Sequence, residues 1–306
     1  MPELPEVQTI VNDLNKKVVG RRITGVWFDF PKIIKKPKPS DLEQQIKGAK
    51  ILRVERRAKY IKIYLDGGRL LLIHQKLTGH LLVGKWGIRK AQPSLAARGT
   101  RKRPREYEVK SLIKGSLAES VNDYIHLIFY LDDGRMMGFS DLRKFGTVRL
   151  GKTGEIENLP ELKNLGPDAL SPSLSFNKFI NLINSEKRKI KQVLMDQEII
   201  AGIGNIYSDD ILWMAKIHPF TPTYKLTAYQ FKNLYQAMRK ILQKAVKLRG
   251  TSTSDFRDTA GEKGGYTEAR LAYQREGEPC RRCKTKIKRV KIGGRSAHFC
   301  PSCQKL

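Results

Sequence analysis

The sequence predicts an α+β fold in three modules: an N-terminal β-sandwich with flanking helices over residues 1–152, a helical domain over 153–270 and a C-terminal zinc finger over 271–306. Three observations predict it. Seven short runs rich in β-branched and apolar residues lie between Ile23 and Leu150, the pattern of two stacked sheets. From about Ser173 the apolar residues recur at helical spacing instead. All four cysteines fall between 280 and 303, in two Cys-x-x-Cys pairs.

Taken in order, Val7, Ile10, Val11, Leu14 and Val18 predict a helix over 6–18. Strands are predicted at 23–28, 49–54, 60–65, 70–74, 125–131, 135–139 and 147–150, with turns at Asp66-Gly67-Gly68 and Asp132-Asp133-Gly134. The stretch 85–105 carries eight Lys or Arg and no acid, among Gly, Pro and Ser, and is read as a solvated loop able to trail along a phosphate backbone. Helices are predicted to start at Ser173 and Ile190 and to cover 206–214 and 228–248. Residues 251–265 are polar, with Gly261, Gly264 and Gly265, and predict a mobile loop.

Lys and Arg outnumber Asp and Glu by 59 to 30, a net charge of +29. A field of that size points to a polyanionic partner, most often nucleic acid, or to a generically basic protein. No apolar run reaches the length of a membrane span, and the acidic start lacks a signal core, so neither a membrane nor a secreted location is expected. With every cysteine in one short segment, a reducing compartment is expected.

Cys280, Cys283, Cys300 and Cys303 have the spacing of a zinc ribbon, with sixteen residues between the pairs. Four thiolates close a tetrahedral shell, so the expected Zn2+ is one structural ion. Arg281, Arg282, Lys284, Lys286, Lys288, Arg289, Lys291 and Arg295 surround the ligands, suiting the finger to phosphates; a ribbon that docks a protein has the same ligand spacing.

At the other end the chain begins Met1-Pro2-Glu3-Leu4-Pro5-Glu6-Val7. Removal of Met1 would leave Pro2 as a free secondary amine, which titrates near neutrality and can attack an aldehyde or anomeric carbon. Glu3 beside it is a candidate acid or base. From these residues alone, a proline-rich opening of the first helix is the preferred reading. Gly202-Ile203-Gly204-Asn205, between two predicted helices, either cradles a phosphate on backbone N–H groups or serves a close helix connection.

Together, the Pro2–Val7 start, the Gln192–Asp210 segment and the Arg295-x-x-His298-Phe299-Cys300-Pro301-x-Cys303-Gln304 ending resemble the formamidopyrimidine-DNA glycosylase family over almost the whole chain. The resemblance implies that the helical domain carries a helix–two-turn–helix motif. It implies a bifunctional glycosylase/AP lyase of base excision repair that removes oxidised purines (8-oxoguanine, formamidopyrimidines) through a Schiff base on Pro2 and nicks the strand by β,δ-elimination. Glu3 would protonate the opening sugar ring, Lys59 would contact phosphate and assist β-elimination, and Arg295 would grip the flanking phosphates and assist the second elimination. His74, Lys187, Lys191 and Asn205 match DNA-contacting positions, and Asn122 stands where many members carry a contacting histidine. Leu77, Arg143 and Phe145 match the residues that fill the stack vacated by an extruded base. The chain departs from the family pattern at Leu77, usually Met; at Leu142, usually Pro; at Asp210, more often Glu; and at Asn122–Tyr124.

Two other functions fit parts of the sequence. An endonuclease VIII-like activity on oxidised pyrimidines is the nearer, and the stretch 251–267 with Gly264-Gly265-Tyr266 argues for the purine branch instead. A non-catalytic zinc-ribbon nucleic-acid binder is the other, and it has no need of Pro2-Glu3. The expected partner is damaged double-stranded DNA, bound by a monomer in a bacterial cytoplasm, nucleoid-associated through DNA; no redox or nucleotide cofactor and no membrane are expected.

Overall fold

The structure is a computed structural model and describes residues 1–91, 106–253 and 255–306. Helix α1 spans Leu4–Lys17. The strands that follow are β1 (Ile23–Phe28), β2 (Ile34–Lys36), β3 (Ile51–Arg57), β4 (Tyr60–Leu65), β5 (Arg69–His74), β6 (His80–Gly84), β7 (Trp86–Lys90), β8 (Tyr107–Ser111), β9 (Ile125–Leu131), β10 (Met136–Ser140) and β11 (Thr147–Lys152), with α2 (Pro39–Ile46) between β2 and β3. They build a four-stranded sheet, β1-β9-β10-β6, and a five-stranded sheet, β2-β11-β5-β4-β3, in which only the β2–β11 pair is parallel.

Alternation along the strands decides which side chains face inward. Leu127, Phe129, Met137 and Phe139 of one sheet share a buried core with Ile61, Ile63, Leu71 and Ile73 of the other. Val7, Ile10, Val11 and Leu14 of α1 join that core, which fixes the N-terminus against the sandwich. The intervening residues of the five-stranded sheet, Tyr60, Tyr64, Leu70 and Leu72, are also covered. Their cover is α3 (Thr153–Glu157) and α4 (Pro160–Lys163), through Ile156 and Leu162. Residues 153–163, expected in the helical module, therefore pack on the sandwich.

The basic segment 85–105 is not wholly a loop. Trp86–Lys90 is a strand paired antiparallel with β8, with Trp86 buried and Arg89 hydrogen-bonded to Glu108. The density of charge hid the alternation of Trp86 and Ile88. Residues 92–105 of that segment lie outside the described residues.

The helical domain comprises α5 (Phe176–Asn184), α6 (Ile190–Met195), α7 (Asn205–Ala215), α8 (Ala228–Lys247) and the short α9 (Tyr266–Ala269). Ser175 and Thr227 cap α5 and α8, their hydroxyls accepting from the backbone N–H of Lys178 and Gln230. Leu4 of the first turn of α1 sits in this domain's core, so one helix serves both cores.

In the finger, β12 (Lys288–Ile292) and β13 (Arg295–Phe299) form a hairpin. Its tip, Gly293-Gly294, has φ of +54° and +73°, the left-handed pair that a two-residue turn requires. A Cβ on Gly293 would lie 2.8 Å from Gln192 Nε2 of α6, so the hairpin tip rests on the helical domain.

Residue 254 lies outside the described residues; the rest of the stretch 251–265 is tethered rather than free. Thr259 is fully buried; its carbonyl accepts from Val83 N at 2.8 Å and its hydroxyl donates to Asp13 at 3.0 Å. Arg249 bridges Asp13 and Asp258. Polarity suggested mobility, but these polar groups bind one another and α1.

Candidate active site

A cavity of about 450 Å³ opens where the three modules meet. Met1, Glu3, Lys59 and Leu77 come to it from the sandwich, Gly204, Asn205 and Ile206 from the start of α7, and Tyr273 and Arg295 from the finger side. Pro2 is buried and lines a small adjoining pocket with Glu6, Leu77, Thr251 and Thr253; Met1 lines both spaces.

Glu3 is the joint between modules. Its carboxylate accepts from the backbone N–H of Gly204 at 2.7 Å, Ile206 at 2.8 Å and Tyr207 at 3.4 Å. The N-terminus of α7, a candidate phosphate cradle in the sequence, thus holds this chain's own carboxylate, supplied from about two hundred residues away. Gly204 makes the approach feasible, because a Cβ there would lie 2.5 Å from the Glu3 carboxyl. Glu6 lies deeper. It accepts from Glu3 N and Thr251 N and from the Tyr207 hydroxyl, and burial, reinforced by the Glu3 charge, pushes its carboxyl up to about 7.

Lys59 is buried and donates to Ile203 O at 2.8 Å. Burial lowers its ammonium from the usual lysine range, Arg295 adds to that, and Glu3 and Glu6 oppose it. A lysine so placed sheds its proton more readily than one in water. Gln197 donates to the same Ile203 carbonyl at 2.7 Å and accepts from Gly202 N, bracing the turn between α6 and α7.

Leu77, Arg143 and Phe145 are also brought together. The Thr78 hydroxyl donates to buried Asp141 and accepts from Arg143 N at 3.0 Å, while Asp141 accepts from Gly146 N at 2.7 Å. The Arg143 guanidinium lies 4.9 Å from the centre of the Phe145 ring, and Phe145 is half exposed. Sequence reasoning missed Thr78 and Asp141; their only signal was a hydroxyl and an acid at the turns bearing Leu77 and Arg143.

Other expected contact residues fall elsewhere. Lys191 is wholly buried and ion-paired with Asp209, whose second oxygen accepts from His298 N at 2.9 Å. Its charge is enclosed in the free protein, and it ties α6 and α7 to the finger. Asn122 is buried, its Oδ1 accepts from His80 Nε2 at 3.0 Å and its amide nitrogen donates to Ser116 O at 2.7 Å, so its amide does not face the cavity. Lys187 is exposed ahead of α6, outside the cavity. His74 is packed edge-on against Tyr60 and lines a second cavity, described below. Asn205 lies within 3.5 Å of Ser296 Oγ through its amide nitrogen, and its buried carbonyl oxygen has no partner among the described residues.

In the finger the four cysteine Sγ atoms lie within 4.8 Å of one another. Tetrahedral zinc with bonds of about 2.3 Å places its sulfurs roughly 3.8 Å apart, so this donor set fits the ion. The Trp213 indole donates to Cys280 Sγ at 3.3 Å, and the Arg282 guanidinium lies 4.1 Å from its ring centre, docking the finger on α7.

A sandwich, a helix–turn–helix body and a four-thiolate finger that close on one cleft define a protein built to grip a chain-like polyanion and act on it. Comparison with known proteins gives the family. The description "Formamidopyrimidine-DNA glycosylase N-terminal domain" matches residues 1–148, the family's H2TH domain matches 165–257, and a zinc finger found in FPG and IleRS matches 277–306. Formamidopyrimidine-DNA glycosylase of Pelotomaculum thermopropionicum is 37% identical over 306 residues, and that of Heliobacterium modesticaldum 36% over 305, each pairing covering 100% of both chains. Among solved structures, Lactococcus lactis Fpg in complex with DNA containing an abasic site is similar at a TM-score of 0.81 and 29% identity, covering 99% of this chain and all of that one. The MutM (Fpg) protein of Thermus thermophilus is similar at 0.78 and 31%, covering 99% and 98%. The chain belongs to the formamidopyrimidine-DNA glycosylase family.

Proposed function

We propose that this DNA glycosylase/AP lyase removes oxidised purines from duplex DNA with Pro2 as nucleophile, and cuts the strand on both sides of the lesion. The observation that carries the reading is the convergence of Glu3, Lys59, Leu77, Asn205 and Arg295 on one cavity, with Pro2 against its wall. Removal of Met1 would free the Pro2 nitrogen and clear one of the residues that line both spaces.

The Pro2 nitrogen attacks the anomeric carbon, the base departs, and Glu3 supplies a proton to the opening sugar ring. The resulting iminium acidifies the neighbouring sugar C–H. Lys59, whose ammonium is weakened by burial, is suited to move that proton as the first phosphate leaves. Arg295, presented at the start of β13, holds the phosphates and assists the second elimination. Leu77, Arg143 and Phe145 fill the vacated stack. The zinc bound by the four cysteines supplies the finger's fold and takes no part in the chemistry. The stretch 251–265 contributes Thr251, Thr253 and Phe256 beside Pro2, which favours a base-covering role and the purine branch over an endonuclease VIII-like preference.

Borohydride trapping on an abasic duplex tests this directly. The mature protein should form a covalent cross-link, and Pro2→Gly should lose it while keeping duplex affinity within a few-fold. A cross-link of undiminished yield in the variant would remove Pro2 from the mechanism. Selective cleavage of an oxidised-pyrimidine duplex would favour the endonuclease VIII-like reading.

A further inference from the structure

A second cavity, of about 510 Å³, adjoins Lys59 on the other side. Ala58, Tyr60, His74, Lys76, Glu161, Asn164, Gln197 and Glu198 are among its walls, and Lys59 and Gln197 line both cavities. It therefore continues the reaction cavity along the surface.

Lys76 stands out in it. Its φ is +55°, in the left-handed region where a side chain other than glycine is strained, at a cost of roughly 1 kcal/mol. Two neighbours share this trait: Ala58 at +51°, just before Lys59, and Lys144 at +57°, between Arg143 and Phe145. Each kink therefore sits beside a residue of the proposed site. Among the described residues Lys76 makes no side-chain hydrogen bond and no ion pair. Of the carboxylates in this cavity, Glu161 is engaged by Arg149 at 2.8 Å and Glu198 is exposed.

The surroundings are set for an anion. His74 Nδ1 accepts from Lys76 N at 2.9 Å, which leaves the imidazole proton on Nε2. Burial, then the charges of Lys76, Lys59 and Arg149, push His74 down to about 3. The ring is thus a neutral N–H donor inside a group of three cations. Such a group lowers the cost of bringing in a phosphodiester and raises the cost of leaving Lys76 unpaired.

We infer that Lys76 is a phosphate-contacting residue: the left-handed kink ahead of Leu77 presents its ammonium to a backbone phosphodiester of the bound strand, beside the nucleotide held in the reaction cavity. The inference rests on the duplex-binding function proposed above. In the free protein the cation has no partner among the described residues; on the duplex it displaces one counterion.

The test is the salt dependence of binding to a duplex carrying a stable abasic-site analogue, measured by fluorescence anisotropy across a range of KCl for the zinc-loaded protein. Each neutralised phosphate contributes about 0.9 to the slope of log Kd against log salt. Lys76→Gly should lower that slope by about 0.9, Lys76→Arg should retain it, and Lys76→Gly should melt no lower than the parent because glycine accepts the positive φ. An unchanged slope in Lys76→Gly would overturn the inference. So would an equal loss in Lys76→Arg, or an affinity loss that is the same at every salt concentration, since those would mark a role in shaping the Leu77 turn. A parent protein with no affinity for the duplex would instead overturn the function on which the inference rests.

Discussion

Glu6 is an almost wholly buried carboxyl, sited in the first turn of α1 between the Glu3 amide, the Thr251 amide and the Tyr207 hydroxyl. Its pKa of about 7 in the folded protein lies above the ordinary 4.5. Between those values the folded state binds a proton that the unfolded state releases, so this residue's stabilisation is present below about pH 4.5 and is lost as pH rises through about 7. The size is on the order of 3 kcal/mol. Unfolding by denaturant from pH 4.5 to 8 should therefore show stability falling with pH, and Glu6→Gln should show a flatter profile across the same window. Equal profiles would mean that Glu6 is ionised throughout. Glu3 was legible in the sequence from its place beside Pro2, whereas Lys59 was marked only by the family resemblance. Glu6 was not, since its environment is assembled from Tyr207 and Thr251, about 200 and 245 residues away.

At the scale of elements, periodicity located seven of the eleven sandwich strands and the long helices to within a few residues, missed β2, β6, β7 and β8, and failed where a second partner was needed. Tyr60, Tyr64, Leu70 and Leu72 make the outer face of the five-stranded sheet apolar, but nothing local said that α3 and α4 would cover it. The family resemblance marks Lys191 as a DNA-contacting position and nothing local marks Asp209; only the packing of α6, α7 and β13 shows them as one enclosed group. Asp209→Ala would strand the Lys191 ammonium in the interior and free His298 N and Nδ1. Breaking a buried pair from one side costs about 3–5 kcal/mol. The variant should melt well below the parent and cut an abasic duplex slowly, because His298 and Arg295 share β13. Asp209→Asn keeps an acceptor for the His298 amide and should recover part of the cleavage before it recovers the stability. Parental stability in Asp209→Ala would show that Lys191 reaches another partner.

Over the whole molecule, the net charge of +29 announced a polyanion but not where it binds, since charge count carries no geometry. The cleft is set by how the finger docks. Its own buried set is small, with Ala272, Cys280, Ile287 and Cys300 against Trp213 of α7, whereas the sandwich and helical cores each bury more than twenty side chains. A 36-residue module with so little apolar burial depends on its metal for a fold. Chelation, or Cys300→Ser, should therefore unfold the finger while leaving the two larger cores intact. Arg295 would leave the cavity, and the Trp213 indole and Asp209 carboxylate would lose their partners on the finger. The expected result is a split thermal transition, quenched or shifted Trp213 fluorescence, and loss of duplex binding and strand cleavage in the same step of a chelator titration. Returning zinc should restore all of them to the wild-type chain and none to Cys300→Ser. Tight binding of an abasic duplex by the metal-free protein would show that the sandwich and helical domain grip DNA unaided, and that the finger serves only to position Arg295.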